Sequence, residues 1–299
     1  MDLKKFRGSF LLLIASFIWG TAFVAQSMGN ELGAFTFVAA RNMVGFLFLL
    51  IVVLIVDKIR KKSNTKNPIY ENKIYIKGGF IGGLALFVAM VLQQLGLEHT
   101  SAGKAGFLTA LYIVIVPIMG IALKKKVDLK IWVSVLIATV GTYFLSVTEN
   151  FTIGLGDIYI ILCAVVFSIH ILIIDHYSPK TDAIKLSAMQ FLVCSVICIV
   201  LSAIIEKPSL AQILAVIGPI LYAGIMSSGI AFTLQIIAQS ETPPTVASLI
   251  MCLESVFAVL AGMVILNEVL NSKEILGCVL VFIAVILAQV PIGKKKQKN

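Results

Sequence analysis

Long runs of apolar residues recur along the whole chain and are separated by short polar stretches. A helix needs about 20 apolar residues, at a rise of roughly 1.5 Å each, to cross the hydrocarbon core of a bilayer. The runs that meet this length predict ten spanning helices, over residues 8–28, 34–56, 78–97, 102–123, 129–147, 154–174, 184–204, 213–238, 245–266 and 274–291. The connections between them leave no room for a soluble domain.

Composition points to the same class of protein. Of the 299 residues, 59% are hydrophobic and 13% are charged, and the mean hydropathy is +1.02. A soluble chain of this length has no means of hiding so much apolar surface from water. Soluble enzymes, disordered chains and nucleic-acid-binding domains are therefore excluded, and we predict an all-α integral membrane protein.

The positive charges lie on one side of the predicted helices. With the N-terminus in the cytoplasm, 20 of the 24 Lys and Arg residues fall in cytoplasmic segments, including the basic C-terminal tail. The outer loops hold only Lys104, Lys207 and Lys273, and Arg41 lies within a helix. Because cytoplasmic loops carry an excess of Lys and Arg, we predict a multi-pass protein of the cytoplasmic membrane with both termini inside.

An internal repeat is visible between the two halves. Residues 82–127 align without a gap on residues 224–269, at an offset of 142 that pairs Gln93 with Gln235 and Thr100 with Thr242. Each Thr directly precedes a predicted helix, so we expect it to cap that helix. An odd number of helices in each half places the halves in opposite orientations. We therefore predict two inverted five-helix repeats, residues 1–148 and 149–299, an arrangement common in secondary transporters.

Several of these residues resemble the EamA-type family of drug/metabolite transporters. The run FIWGT at residues 17–21 is similar to that family's first-helix signature, and Arg41 lies where the family often has an Arg. Residues 97–123 and 242–268 resemble the long fourth-helix block of each repeat. The chain departs from the family pattern at Ser255, which stands where Pro usually follows Glu, and at residues 124–126, which replace Gly-Glu by three lysines.

The resemblance implies a transporter of a small metabolite, with export of an amino acid or a related compound as the best single expectation. It implies alternating access but identifies no particular substrate, because one fold serves many functions. An uncoupled facilitator or exchanger of the same fold is the alternative. A membrane-embedded enzyme that modifies lipid is a further alternative, with His176 and Asp182 as the nearest approach to a catalytic pair.

Glu254 is the first candidate for a functional residue. It lies about nine residues from either end of its predicted helix, near the centre of the bilayer. Ionisable side chains at such a depth cost about 2.5–3.5 kcal/mol on insertion scales, so those present are functional candidates. We interpret Glu254 as a carboxylate for proton coupling or for binding a substrate amine, with a structural hydrogen bond between helices as the alternative.

Six further polar or aromatic residues complete the set of substrate-binding or coupling candidates. Arg41 has three possible roles: to bind a substrate carboxylate, to pair with Glu254, or, as we favour, to bond structurally to backbone carbonyls. Trp19 and Tyr112 lie mid-span, where an aromatic ring with a polar edge suits a cavity but also suits packing.

The remaining three candidates have structural interpretations that we favour. Gln93 and Gln235 suit hydrogen bonds between helices, and His170 suits a buried neutral imidazole with one nitrogen bonded, rather than a proton relay. Pro117, inside a predicted helix, is expected to kink it.

The sequence contains no motif for catalysis or for a cofactor. We found no nucleotide-binding loop, hydrolase motif or zinc motif, and the five cysteines lie in apolar runs without His or carboxylate at ligand spacing. We therefore expect no enzymatic activity, no metal and no cofactor. The expected partners are a small-molecule substrate and the lipid bilayer, without nucleic acid, and a homodimer remains open.

Overall fold

The computed structural model describes residues 3–62, 72–146, 153–265 and 270–290. Nearly all of these residues are helical, and no strand occurs among them. The predicted all-α fold class is confirmed for this part of the chain. The connection between the second and third predicted segments, the family block beyond residue 265 and the basic tail lie wholly or partly outside the described residues.

The first half contains six helices. They are α1 (Leu3–Met28), α2 (Ala34–Lys62), α3 (Asn72–Leu97), α4 (Ala102–Ala110), α5 (Tyr112–Ala122) and α6 (Leu129–Ser146). Helices α4 and α5 are two parts of one predicted segment, separated by a single residue, Leu111.

The second half contains eight helices and two stretches with wider turns. The helices are α7 (Leu155–Tyr177), α8 (Ala183–Leu201), α9 (Leu210–Ala215), α10 (Ile217–Tyr222), α11 (Phe232–Gln239), α12 (Pro244–Met251), α13 (Leu253–Ile265) and α14 (Ser272–Gln289). π-Helical turns extend α8 over Ser202–Glu206 and join α10 to α11 over Ala223–Ala231.

The outer surface of these helices suits a lipid environment. Among the described residues, nine helical stretches are long and apolar enough to cross a membrane, and the shorter apolar helix Leu129–Leu145 corresponds to the fifth predicted segment. Large apolar side chains remain exposed on the outward faces, as at Leu54 (62%), Leu136 (65%) and Ile286 (61%). Such a surface is stable against lipid tails and unstable against water.

The helices of one half pack mainly against those of the other. Helix α6 lies along α14, and α2 lies along α8. Helix α3 contacts both α7 and α8, while the 223–239 segment, which holds the position of α3 in the second half, contacts both α1 and α2. Helices α4 and α5 contact α7, and α12 and α13 contact α1. The packing scheme is therefore unchanged when the two halves are exchanged.

The fourth-helix block of each half is interrupted at a corresponding point. Leu111 separates α4 from α5, and Cys252 separates α12 from α13. The backbone there makes tighter bonds, from Val114 N to the Leu111 carbonyl and from Ser255 N to the Cys252 carbonyl. Pro117 lies within α5 and not at the interruption. The interruption is thus distinct from the kink expected at Pro117, which stays a prediction.

The predicted threonine caps are wrong. The residue next to each helix takes the capping position, Ser101 for α4 and Pro243 for α12. Each helix begins one residue later than a threonine cap requires. Thr100 instead donates a hydrogen bond to Asp157 Oδ1 (2.9 Å), and the Thr242 hydroxyl has no partner among the described atoms.

Glycines in α3 allow α8 to approach closely. A Cβ atom added at Gly83 would lie 2.7 Å from the backbone oxygen of Gln190 and 2.7 Å from Val193 Cβ. Gly79 faces Met189 in the same way. A neighbouring backbone is unable to yield as a flexible side chain does, so the two helices meet at this distance only because α3 carries glycine here.

We expect Gly83→Ala to destabilise the bundle. The added methyl group must push α3 and α8 apart, at a cost of about 1–3 kcal/mol in the free energy of unfolding. Gly103→Ala is the matched control, because the space around Gly103 is open and alanine is the better helix former by about 1 kcal/mol. Thermal unfolding of the purified variants in detergent measures both, and equal melting temperatures would contradict the close approach.

Candidate functional site

A cavity lies between the two halves of the bundle. The empty space in and around it, open solvent included, is about 520 Å³. All seven candidates from the sequence line it: Trp19, Arg41, Gln93, Tyr112, His170, Gln235 and Glu254. The other lining residues are Phe23, Gln26, Met90, Thr109, Phe167, Ile171, Ser227, Phe232 and Met251. The structure thus brings residues from distant parts of the chain to one place, and their roles there are a matter for experiment.

Tyr112 and Glu254 form a hydrogen bond across the interface between the halves. The Tyr112 hydroxyl donates to Glu254 Oε1 at 2.9 Å. Both side chains are buried, and both lie in the first turn after the interruptions of the fourth-helix blocks. They occupy matching positions in the repeat alignment, so the bond joins equivalent points of the two halves.

Arg41 is held in the second helix by two neutral groups. Its Nη1 donates to Gln26 Oε1 (2.9 Å) and its Nη2 donates to Ser227 Oγ (2.7 Å). The residue is 2% exposed, and its Nε has no partner among the described atoms. The pairing with Glu254 that the sequence left open is not made in this structure, and neither is the favoured bond to backbone carbonyls.

His170 pairs with a glutamine of the neighbouring helix. Its Nε2 lies 3.0 Å from Gln190 Oε1. Since that oxygen accepts, Nε2 is the nitrogen that donates, and Nδ1 has no partner among the described atoms. This agrees with the expectation of a buried imidazole with one bonded nitrogen. The ring also stands edge-on to Phe232, at a centroid distance of 5.9 Å.

Aromatic rings form one wall of the cavity. Phe232 is at its centre and contacts the ring of Trp19 edge-on, at a centroid distance of 4.8 Å. Trp19 Nε1 has no hydrogen-bond partner among the described atoms. Edge-on contacts of this kind fix ring orientation, so the wall presents a rigid apolar surface with one free donor.

The two matched glutamines make different bonds. Gln93 Nε2 lies 3.4 Å from Thr109 Oγ1, a weak interaction at most. Gln235 Nε2 donates to Gln239 Oε1 (2.8 Å), and Gln239 in turn donates to the Ile171 carbonyl (3.1 Å). Gln235 Oε1 is buried without a partner among the described atoms. Only Gln235 thus forms part of a bonded chain between helices.

Several buried polar atoms that line the cavity lack a hydrogen-bond partner. Four buried atoms of its lining have no partner in the described part of the protein: Trp19 Nε1, Arg41 Nε, His170 Nδ1 and Gln235 Oε1. Buried polar atoms in native proteins are nearly always bonded. A mostly apolar cavity with a few convergent polar groups is the usual form of a small-molecule site.

Sequence reasoning missed Gln26 and Ser227, which orient Arg41. Gln26 is a strongly polar residue within the first apolar run, and the rule that selected Gln93 and Gln235 applies to it equally. Serine is too frequent in membrane helices to be selected by that rule. Its contact with Arg41 depends on the packing of α2 against the 223–231 segment.

Ion pairs lie at the end of the bundle where α1 begins. Four pairs link neighbouring helices there: Arg7 with Glu241, Lys125 with Asp175, Arg60 with Asp182, and Lys185 with Asp57. Most of these side chains are partly exposed, so each contributes little to stability. Together they hold the helix ends at this side.

A more buried cluster lies at the opposite end. Lys104 Nζ lies 2.6 Å from Asp157 Oδ2, and the backbone N–H of Gly154 donates to the same oxygen (2.7 Å). Nearby, the Glu206 carboxylate accepts the backbone N–H groups of Phe35 (2.9 Å) and Thr36 (2.7 Å), which satisfies the first turn of α2.

The chain is similar to transporters over nearly its whole length. It matches the EamA-like transporter family twice, over residues 6–147 and 154–289. A protein of Archaeoglobus fulgidus described as an uncharacterized transporter is 32% identical over 289 residues, which cover 95% of this chain and 86% of the relative. The chain belongs to the EamA-like transporter family.

Two further similarities agree with the family. The uncharacterized transporter YoaV of Bacillus subtilis is 22% identical over 292 residues, which cover 95% of this chain and 97% of the relative. A solved crystal structure with 18% sequence identity superimposes with a TM-score of 0.76 and covers 94% of this chain and 96% of its own, which shows a common fold. The family resemblance is confirmed, and this EamA-like chain is a multi-pass membrane transporter.

We expect the Tyr112–Glu254 bond to stabilise the family fold measurably. Tyr112→Phe leaves a buried carboxyl group without its donor, which costs about 1–3 kcal/mol in the free energy of unfolding. The cost is smaller in a Glu254→Leu background, where the acceptor is gone, so a double-mutant cycle reports a coupling energy. Tyr143→Phe, on a half-exposed ring of α6, is the control. Equal losses of melting temperature for the two Tyr→Phe variants would contradict the bond.

Proposed function

We propose that this chain is a secondary transporter that moves a small metabolite across the cytoplasmic membrane by alternating access, with export of an amino acid or a related compound as its activity. The observation that carries the proposal is the cavity between the halves, where a convergent set of polar atoms lacks partners. A central cavity between the two repeats is where secondary transporters bind substrate. Membership of the family supports transport and leaves the substrate open.

The proposed architecture is ten spanning helices in two inverted repeats, with both termini in the cytoplasm. The nine long apolar stretches and the shorter Leu129–Leu145 support the count. Three findings support the repeats: the packing scheme that survives exchange of the halves, the two family matches, and the sequence alignment at an offset of 142. The excess of Lys and Arg at one side supports the orientation.

Alternating access requires that each end of the cavity opens while the other stays closed. The candidates for the two closures are the four ion pairs at the end where α1 begins and the Lys104–Asp157 cluster at the opposite end. Exposed ion pairs break at little cost. The interruptions at Leu111 and Cys252 offer points at which the two fourth-helix blocks bend beside the cavity.

Glu254 is the proposed site of proton coupling. It is buried beside the cavity, and its described bond is to the Tyr112 hydroxyl. A proton on this carboxyl group changes the charge of the cavity, and therefore changes which solute is bound most tightly. This is the simplest way in which a proton gradient drives a solute through this site.

We expect Glu254→Gln to abolish solute flux driven by a pH gradient in proteoliposomes. The amide keeps the size and the hydrogen bond to Tyr112 but has no titrating proton. Glu274→Gln is the control, since Glu274 lies in the first turn of α14 and does not line the cavity. Flux that follows the pH gradient equally in both variants would overturn proton coupling.

The same experiment separates the second candidate, an uncoupled facilitator or exchanger. The Tyr112–Glu254 bond favours this alternative, because it gives Glu254 a purely structural role. In that case solute moves down its own gradient in wild type and in Glu254→Gln alike. The lipid-modifying enzyme gains no support, since His176 lies against Lys180 and Asp182 binds Arg60 and the start of α8.

A further inference from the structure

Arg41 is a buried cation without an acidic partner. Its guanidinium group stays charged at every physiological pH. Its two bonds go to Gln26 and Ser227, which are both uncharged. Within the described ranges no ion pair reaches Arg41, and the residue is 2% exposed. The positive charge is therefore hydrogen-bonded but not neutralised.

Nearby groups compensate this charge only in part. Gln26 lies in the last turn of α1, which ends at Met28, and the end of a helix carries about half a negative charge. The Glu254 carboxylate also lines the cavity, but it is bonded to Tyr112 and not to Arg41. Charges buried in a membrane protein are normally paired, so one negative charge is missing at this place.

The guanidinium group still has a free N–H donor with which to bind a negatively charged group. Its Nε has no partner among the described atoms, and Arg41 lines the cavity. A carboxylate binds an arginine side chain through two parallel N–H donors. The fixed positions of Gln26 and Ser227 hold the group in place before any ligand arrives.

We propose that the transported solute supplies the missing counter-ion, and that it is a small monocarboxylate with a largely apolar body, bound by Arg41. This inference rests on the proposed transport function. Gln26 and Ser227 are positioning residues, because they act through Arg41. The apolar body faces the aromatic wall of Trp19 and Phe232.

The charge balance favours a carboxylate over a phosphate ester. A phosphate monoester carries about −1.5 to −2 charges at neutral pH, and Arg41 is the one Lys or Arg side chain of the described residues that lines this cavity. A single carboxylate neutralises it. An amino group on the solute is compatible with Glu254, but the proposal does not require one.

A first experiment tests the missing charge without any solute. Gln26→Glu places a carboxylate at the position 2.9 Å from Nη1, and Gln26→Met has a similar size without charge. We expect Gln26→Glu to raise the melting temperature of the purified protein by about 2–4 °C and Gln26→Met to lower it. A Gln26→Glu variant that melts as low as Gln26→Met would overturn the inference.

A second experiment tests the solute class by thermal shift. Alanine, leucine and phenylalanine are each compared with their amide, which lacks the carboxylate, and with their deaminated acid, which keeps it. We expect the carboxylate compounds, and not the amides, to raise the melting temperature of the wild-type protein. Gln26→Glu should weaken this effect roughly tenfold or more, because Arg41 is then already paired. Gln26→Met should weaken it less than Gln26→Glu does, because Arg41 then loses one of its two positioning bonds but stays without an anionic partner.

The possible results separate the carboxylate site from the transport function. Stabilisation by amides as strong as by carboxylates, by no compound at all, or by chloride alone would overturn the carboxylate site. Stabilisation by carboxylates without flux in proteoliposomes would support the site and contradict the proposed transport function. Flux that survives in Arg41→Met would contradict the site and leave transport in place.

Discussion

The absence of water inside a bilayer is the constraint on which the rest of this structure depends. Lipid tails offer no hydrogen bonds, so the backbone must bond within helices and polar side chains must turn inward. Thr21 bonds to Tyr222 across two helices at 2.5 Å, and Ser16 bonds to the Ile250 carbonyl at 3.1 Å. Many large apolar side chains are exposed on the outward faces instead. Among the described residues, some of the buried polar atoms without a partner line the cavity.

The two halves share one helix-packing scheme but place different side chains in the cavity. Tyr112 and Glu254 occupy matching positions and bond to each other. Arg41 and Gln190 are each the eighth residue of α2 and α8, which lie side by side, yet Arg41 carries a charge and Gln190 instead accepts from His170. The exchange symmetry of the packing therefore does not extend to the cavity, which has distinct cationic and acidic groups.

Buried charge gives such a cavity a means of selection. An unneutralised cation in low dielectric is costly, and a solute that removes this cost binds for that reason. The same solute loses its partner when the cavity opens to water, where ions are well solvated. The closed cavity therefore selects the solute strongly, and the opened cavity releases it easily. Both effects follow from the entry of water around Arg41 and need no new contact.

The helices and the main candidate residues of this protein were determined by its sequence alone. The lengths of the apolar runs predicted the helices, and Glu254 and Arg41 were identified because charge is rare and costly at such depths. The partners of these residues were decided by the tertiary structure. Arg41 binds Gln26 and Ser227, which are 15 and 186 residues away, and the fourth-helix blocks are interrupted at Leu111 and Cys252. Hydropathy reports depth in the membrane, but it does not report which helix faces which, because that depends on close packing between distant segments.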